Sequence, residues 1–155
     1  MRRVASLVAA TLVVSLAIPA VAAPPVTETV TQHGVTETFI DVAPSCEGGG
    51  PLYEITITYN LVEHVTFFEE DGRTHATFTQ TGEFVAEPLD AGLASASGHF
   101  TVWGGFNQNN QTINGTFTFN VNGAFEDGSM ISTHLVDHFN HIPSGAEFFF
   151  THCHD

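Results

Sequence analysis

Basic side chains are nearly missing from this chain of 155 residues, which contains no lysine. Its three arginines are Arg2, Arg3 and Arg73, against 17 acidic residues and a formal net charge of −14. Nucleic-acid binding rests on many lysine and arginine contacts with phosphates, so this composition excludes a nucleic-acid partner. The missing lysine also excludes Schiff-base catalysis and the lysine-containing phosphate loop of nucleotide-binding enzymes.

Common catalytic and cofactor-binding motifs are missing as well. The chain has no G-x-S-x-G turn of serine hydrolases, no H-E-x-x-H zinc motif, no glycine-rich phosphate loop and no calcium-loop spacing. After residue 23, no stretch repeats its apolar residues with the period of a helix. These absences favour a non-enzymatic protein, for which we predict no cofactor and assign no metal ligands.

The longest hydrophobic run lies at the N-terminus, where residues 1–23 have the layout of a secretory signal peptide. Two arginines begin it, residues 4–18 form an apolar segment, and small residues follow Pro19. We predict cleavage after Ala22 or Ala23 and secretion to the outside of the cell, with no membrane association afterwards. The alternative is an uncleaved anchor, because the apolar segment and the small residues together are long enough to span a bilayer.

Cysteine occurs only twice, as Cys46 and Cys153. In an oxidising compartment, two thiols with none left over predict a disulfide, here between positions 107 residues apart. The alternative is a thiolate that acts as a nucleophile or a metal ligand, because Cys153 stands in the sequence His-Cys-His-Asp.

Alternation of apolar and polar residues dominates the chain after the N-terminal segment. It is clearest in residues 53–67 and 113–121, where apolar side chains alternate with threonine and asparagine. Further strands are predicted at 24–42, 74–86, 98–106, 130–140 and 146–151. Loops or turns are predicted at 43–51, 70–73, 88–97, 107–111, 122–123, 127–128 and 143–145.

Seven or eight strands in hairpin order predict an all-β fold, an antiparallel up-and-down barrel of the calycin or lipocalin type. The disulfide would then bring the first and last strands together and hide the sheet edges. A β-sandwich is the alternative. The predicted organisation is a signal peptide at 1–23, an extended strand with a glycine-rich loop at 24–51, and the barrel domain at 52–155.

Three polar residues stand in register with apolar neighbours on the predicted strands. Glu63, Gln80 and Asp137 would point into the barrel if the apolar faces line its interior, where a carboxylate needs a partner or a raised pKa. Trp103 is predicted at the barrel rim or packed on the other side of its strand. We predict Glu63, Gln80, Trp103 and Asp137 as ligand-binding residues. The alternative is that a bulge reverses the phase and leaves the polar residues in water.

Nine histidines are the other candidates for chemistry. His134 and His138 have the i, i+4 spacing of a zinc site on a helix, but four residues of a strand span roughly 13 Å. His152 and His154 are two residues apart and share a strand face, with Asp155 close by. The interpretation we favour is a set of solvent-facing histidines; whether His152 and His154 bind a metal is left open.

Several segments resemble an uncharacterised group of small secreted β-rich proteins from high-GC Gram-positive bacteria. The resemblance rests on GHFTVWGGFN at 98–107, NGTFTFNVNG at 114–123, DGS at 127–129, TQTG at 79–82 and the closing Cys153. It covers most of the chain after residue 23. It implies secretion and a β-rich fold, and it transfers no catalytic or binding residues.

Three functions are consistent with these patterns. The first is a secreted, non-enzymatic β-barrel that binds a small apolar or amphipathic ligand in or at the mouth of the barrel. The second is a structural protein whose threonine-rich faces contact the cell envelope or a partner. The third is a small-barrel cyclase or isomerase that uses Glu63 or Asp137 as an acid or base. The ligand, the partner and the oligomeric state are not predicted.

Overall fold

The computed structural model describes residues 23–46, 49–141 and 147–155 and shows an all-β chain. The predicted signal peptide, apart from Ala23, and the predicted turn at 143–145 lie outside the described residues. No helix long and apolar enough to cross a membrane occurs in this part of the chain. The strands are β1 (Val26–Val42), β2 (Leu52–Phe68), β3 (Arg73–Pro88), β4 (Ala96–Gln108), β5 (Ile113–Phe125), β6 (Met130–His141) and β7 (Glu147–His154).

The seven strands form one antiparallel sheet in chain order, each paired with the next along the sequence. The predicted antiparallel hairpin order is therefore confirmed. β1 pairs with β2 over nearly its whole length, from Val26 opposite Phe67 to Val42 opposite Leu52. Residues 24–51 thus supply the first strand of the same sheet and the loop that follows it.

The sheet is open, whereas the sequence predicts a closed barrel. Within the described residues β1 and β7 are not neighbours, and a single sheet is present rather than the two layers of a sandwich. Closure requires strand number, tilt and stagger to agree. Here β1 has 17 residues and β7 only 8, and as the first and seventh strands of a meander they run in the same direction. Closing the ring would therefore need a parallel pair of unequal strands.

The sheet is nevertheless strongly curled. Tyr53 of β2 and Phe125 of β5 place their ring centroids 6.2 Å apart. In a flat sheet, three strand spacings would separate these positions by roughly 14 Å. The side of the sheet that carries these rings, called here the concave face, is the face on which the apolar residues of the sequence pattern lie.

Most of the buried side chains belong to the concave face near Tyr53. They are Tyr53, Ile55, Tyr59, Phe84, Ala86, Ala96, Phe100, Val121 and Ile131. Ala76 is also buried on this face, but toward its other end, opposite Val65. The opposite side, called here the outer face, carries mainly threonine, asparagine and histidine. Cross-strand pairs of threonine hydroxyls, such as Thr38 with Thr56 at 2.9 Å, connect neighbouring strands there. The alternation of the sequence therefore predicted the two faces correctly.

Glycines on the concave face allow aromatic rings to lie against the backbone. A Cβ atom at Gly98 would stand 2.5 Å from the Cα of Gly123 and 2.8 Å from the ring of Phe84. A Cβ atom at Gly115 would likewise stand 2.5 Å from the ring of Phe139. Glycines covered by rings are a known device for bending a sheet, which accounts for part of the curl.

One local turn prediction differs from the structure. The turn predicted at Asn122-Gly123 is wrong, because β5 continues through both residues to Phe125. Gly123 is needed there for the ring of Phe84 and not for a turn. β2 is one uninterrupted strand, and the irregularity lies beside its centre in β1, where a bulge separates Gln32 from Val35.

Candidate functional site

The concave face contains a cavity of about 380 Å³. This volume lies within the range of pockets that hold small molecules. Its lining comes from four neighbouring strands of the sheet together with the end of β1 and the loop after it. The lining residues are Phe39, Asp41, Val42, Ala43, Pro44, Ser45, Ile55, Ile57, Gln80, Phe84, Phe100, Val102, Phe119 and Val121.

Gln80 is the polar side chain that the four strands β2 to β5 contribute to this apolar lining. It lies on β3 directly opposite Leu61 of β2 and Val102 of β4, and it is half-buried. The other polar members, Asp41 and Ser45, come from the end of β1 and the following loop. The amide of Gln80 offers one acceptor and two donors, so the cavity combines apolar walls with a single uncharged polar group in the sheet.

The wall formed by residues 42–45 is held in place by contacts with β6 and β7, the last two strands of the sheet. The disulfide predicted between Cys46 and Cys153 is present, and it joins this loop to β7 with a Cα–Cα distance of 5.5 Å. The backbone N–H of Cys46 donates to Oδ2 of Asp155 at 2.8 Å. The hydroxyl of Thr133 on β6 lies 3.2 Å from the carbonyl oxygen of Pro44 and 3.0 Å from Oδ1 of Asp155, and its one proton is shared between these two acceptors. These contacts hold the loop as one side of the cavity.

The cluster of Cys46, Cys153 and Asp155 has the residue types of a metal site. Both sulfur atoms are used in the disulfide, so neither is available as a thiolate ligand. The carboxylate of Asp155 accepts hydrogen bonds from Cys46 and Thr133. This cluster therefore serves to join the loop to the last strand.

Glu63 lies on the concave face as predicted but is not part of the cavity lining. It is half-buried on β2, opposite Val30 of β1 and Phe78 of β3. Because Gln80 is opposite Leu61, Glu63 and Gln80 are diagonal neighbours across the β2–β3 pair. Such neighbours are typically about 7–8 Å apart. Glu63 thus lies beside the cavity, toward the other end of the concave face.

Asp137 also lies on the concave face, on β6, and is half-buried. It accepts a hydrogen bond from the hydroxyl of Thr151, its partner on β7. Asp137 and Glu63 belong to the same cross-strand row, but three strands separate them. The rings of Phe78 and Phe117, with centroids 5.5 Å apart, lie between the two carboxylates. The structure does not bring the two acids together.

Trp103 lies on the outer face, away from the other three predicted residues. Its cross-strand partners are Thr79 of β3 and Thr118 of β5, and 40% of its surface is exposed. Because side chains alternate between the two faces along β4, Trp103 is on the opposite face from Phe100 and Val102, which line the cavity. Trp103 therefore cannot contact a ligand in the cavity.

Tyr59 and Glu37 form a polar contact on the concave face that the sequence does not reveal. The hydroxyl of Tyr59 donates to Oε1 of Glu37 at 2.9 Å. This hydrogen bond raises the pKa of Tyr59, and burial and the negative charge of Glu37 act in the same direction. The phenol therefore stays protonated and ties β1 to β2 next to the bulge.

The histidines that the sequence left open lie on the outer face. The rings of His152 and His154 on β7 are 4.3 Å apart between centroids and perpendicular to each other. His134 on β6 is the direct partner of His154. His138, by contrast, is four residues along β6 from His134 and bonds to Thr116 on β5 at 2.8 Å. The sequence predicts that His134 and His138 lie too far apart along one strand to bind the same ion, and this arrangement is consistent with that prediction.

Comparisons of the chain with models of protein families, with curated proteins and with solved structures find no match. The resemblance to secreted proteins of Gram-positive bacteria therefore remains a prediction. The cavity and the two faces of this sheet are the features that bear on function.

Proposed function

We propose that this protein is a secreted, non-enzymatic carrier of a small apolar or amphipathic molecule, which it binds in the concave face of its curled sheet. The observation that supports this function is the cavity of about 380 Å³, whose lining from β2 to β5 is apolar apart from Gln80. A ligand gains affinity for a lining of this kind by burying its apolar surface, and one polar group orients the ligand.

The charge distribution restricts the ligand further. Arg73 is the one arginine or lysine among the described residues, and its Nε lies 2.5 Å from a carboxylate oxygen of Asp71 in the β2–β3 turn. The cavity has Asp41 on its loop side and no cation in its lining. A buried carboxylate or phosphate group would therefore lack a partner, which is costly. We propose a neutral or cationic amphiphile rather than an anionic one.

A competition experiment tests this function. A neutral fluorescent naphthylamine probe is bound to the protein and then displaced by decanol, decylamine or decanoate, which differ only in the head group. We expect displacement by the alcohol and the amine at concentrations at least tenfold lower than by the carboxylate. Equal displacement by all three would contradict the proposed ligand class, and absence of probe binding would contradict the carrier function.

Two matched variants locate the binding site. Val102→Trp fills the cavity from β4 and should abolish probe binding. Val85→Trp is the control, because Val85 lies on the outer face of the adjacent strand and is 48% exposed. Probe binding that survives Val102→Trp would place the ligand elsewhere. Gln80→Leu should retain the probe but reduce the preference for the alcohol over a hydrocarbon.

The outer face favours a second candidate, contact with a polysaccharide of the cell envelope. Trp103 is the single tryptophan of the chain and is exposed, and its partner on β3 is the exposed Thr79. An exposed aromatic ring beside a hydroxyl-bearing side chain is suited to a sugar ring. Titration with soluble cell-wall polysaccharide should then shift the tryptophan fluorescence, and Trp103→Ala should weaken retention on the polysaccharide. Unchanged fluorescence and retention would contradict this candidate.

A further inference from the structure

We propose that His134, His152 and His154 form a binding site for a divalent transition-metal ion on the outer face, with zinc as the representative ion. This site is on the opposite side of the sheet from the cavity and does not depend on the carrier function. It rests on the register between β6 and β7, which brings together histidines far apart in sequence.

The first two ligands are supplied by one strand. His152 and His154 project from the same side of β7, and their ring centroids are 4.3 Å apart. Two nitrogens bound to one zinc ion lie no more than about 4 Å apart, because each Zn–N bond is about 2.0–2.1 Å long. Both side chains are exposed, so an ion can reach the pair from solvent, and the rings must turn out of their perpendicular contact to aim one nitrogen each at it.

The third ligand comes from the neighbouring strand. His134 is directly opposite His154 across the β6–β7 pair. Directly opposite residues have Cβ atoms about 4.5–5.5 Å apart, and the diagonal partner is within reach of a side chain as long as histidine. Neutral imidazoles are good ligands for zinc, nickel and copper. Three of them leave a fourth position for water, as in an open tetrahedral site.

Asn120 prepares His134 for this role. Nδ1 of His134 is hydrogen-bonded to Oδ1 of Asn120, the partner of His134 on β5. Because Oδ1 can only accept, Nδ1 carries the proton and Nε2 keeps its lone pair. Nε2 lies on the other side of the ring from Nδ1, so the contact with Asn120 leaves it for a metal ion. A hydrogen bond that fixes tautomer and orientation is the usual support of a histidine ligand.

The backbone of the site is fixed by the disulfide. Cys153 lies between His152 and His154 and points to the other face, where it is bonded to Cys46. The C-terminal end of β7, which carries two of the three ligands, is therefore anchored between them. The formal net charge of −14 adds a general attraction for cations.

Isothermal titration of the protein with zinc chloride tests the proposal, with magnesium as a competitor. We expect one zinc ion per chain and no displacement by magnesium. His154→Ala should weaken zinc binding more than 100-fold, and His134→Ala and His152→Ala should each weaken it at least tenfold. Asn120→Leu should weaken it by about 10- to 100-fold through the loss of the supporting hydrogen bond.

His75→Ala is the matched control. His75 lies on the same outer face, and its Nδ1 is likewise bonded to an asparagine oxygen, Oδ1 of Asn107, at 2.7 Å. Its partner on the other side is Thr66 instead of a histidine. This variant should bind zinc as the parent does. The proposal is overturned if the parent binds no zinc, if His154→Ala binds zinc normally, if His75→Ala is equally weakened, or if magnesium displaces the ion. Far-ultraviolet circular dichroism establishes that each variant is folded.

Discussion

At the scale of single residues, the contact of Phe84 with Gly98 and Gly123 shows how the curled sheet is packed. The three residues lie on adjacent strands, and the ring occupies the space that two β-carbons would need. None of these glycines is required for a positive φ angle. Their function is to let an aromatic ring approach the backbone, so their substitution acts through sterics.

Gly98→Ala should therefore destabilise the fold. The added Cβ atom would stand 2.2 Å from the carbonyl oxygen of Asn122 and 2.5 Å from the Cα of Gly123, which are backbone atoms that cannot rotate away. We expect a loss of about 1–3 kcal/mol in the free energy of unfolding, the usual cost of overpacking. Chemical denaturation measures it.

Gly92→Ala is the control for this prediction. Gly92 has no positive φ angle, and the nearest atom to an added Cβ is a side-chain oxygen of Asp90 at 3.4 Å. Its free energy of unfolding should change by less than about 0.5 kcal/mol, as for ordinary surface substitutions. Equal effects of the two substitutions would show that the ring and glycine contacts do not determine stability.

At the scale of elements, β1 has the features of a protected edge strand. All but two of its 17 residues are exposed. On the side away from β2, its backbone N–H and C=O groups pair with no other described strand. A bulge interrupts it between Gln32 and Val35, where Gly34 has a φ angle of 62° and its N–H donates to Asn60. Bulges in edge strands hinder pairing with another molecule.

Deletion of Gly34 should remove this protection. With Gly34 gone, His33 stands opposite Asn60 and the strand becomes regular, while the residues on either side keep their faces. We expect the deletion variant to self-associate more strongly than the parent as the protein concentration rises. Sedimentation velocity at a series of concentrations measures this, and an unchanged concentration dependence would contradict the protective role.

The elements also show what alternation in a sequence can and cannot predict. The faces of β2 to β6 follow directly from it, and Gln80 was selected because it is polar in an apolar register. The turn at Asn122-Gly123 was wrong because a dipeptide typical of turns also suits a strand when a ring from β3 must cover the glycine. The pairing of His134 with His154 depends on the β6–β7 register, which alternation does not define.

At the scale of the whole molecule, closure and the cavity wall were the features least accessible from sequence. Whether a sheet closes into a barrel depends on the stagger between its strands and on their lengths. These are properties of the whole sheet, so the residues of a single strand do not encode them. The wall at 42–45 is held in place by the disulfide to β7 and by hydrogen bonds that join the loop to Asp155 and Thr133, contacts between residues far apart in the sequence. The disulfide itself was predictable from the count of two cysteines.

Replacement of both cysteines by serine should loosen the molecule at this wall. A bridge that closes a loop of 107 residues stabilises a fold by roughly 4–5 kcal/mol in the chain-entropy treatment. We expect a loss of that order in the free energy of unfolding and weaker binding of the naphthylamine probe under conditions where the variant is folded. Probe affinity equal to that of the parent would show that the loop keeps its place without the bridge.

The long reach of this bridge also bears on the order in which the protein matures during synthesis. Every strand pairs with its neighbour in sequence, so hairpins can form as soon as each strand has left the ribosome. Cys46, however, must wait until 107 more residues have been made before its partner exists. The growing chain therefore passes through a stage in which most of the sheet has been synthesised and the cavity still lacks its fixed wall. Formation of the disulfide that fixes this wall becomes the last event of maturation, and an oxidant is needed to complete it.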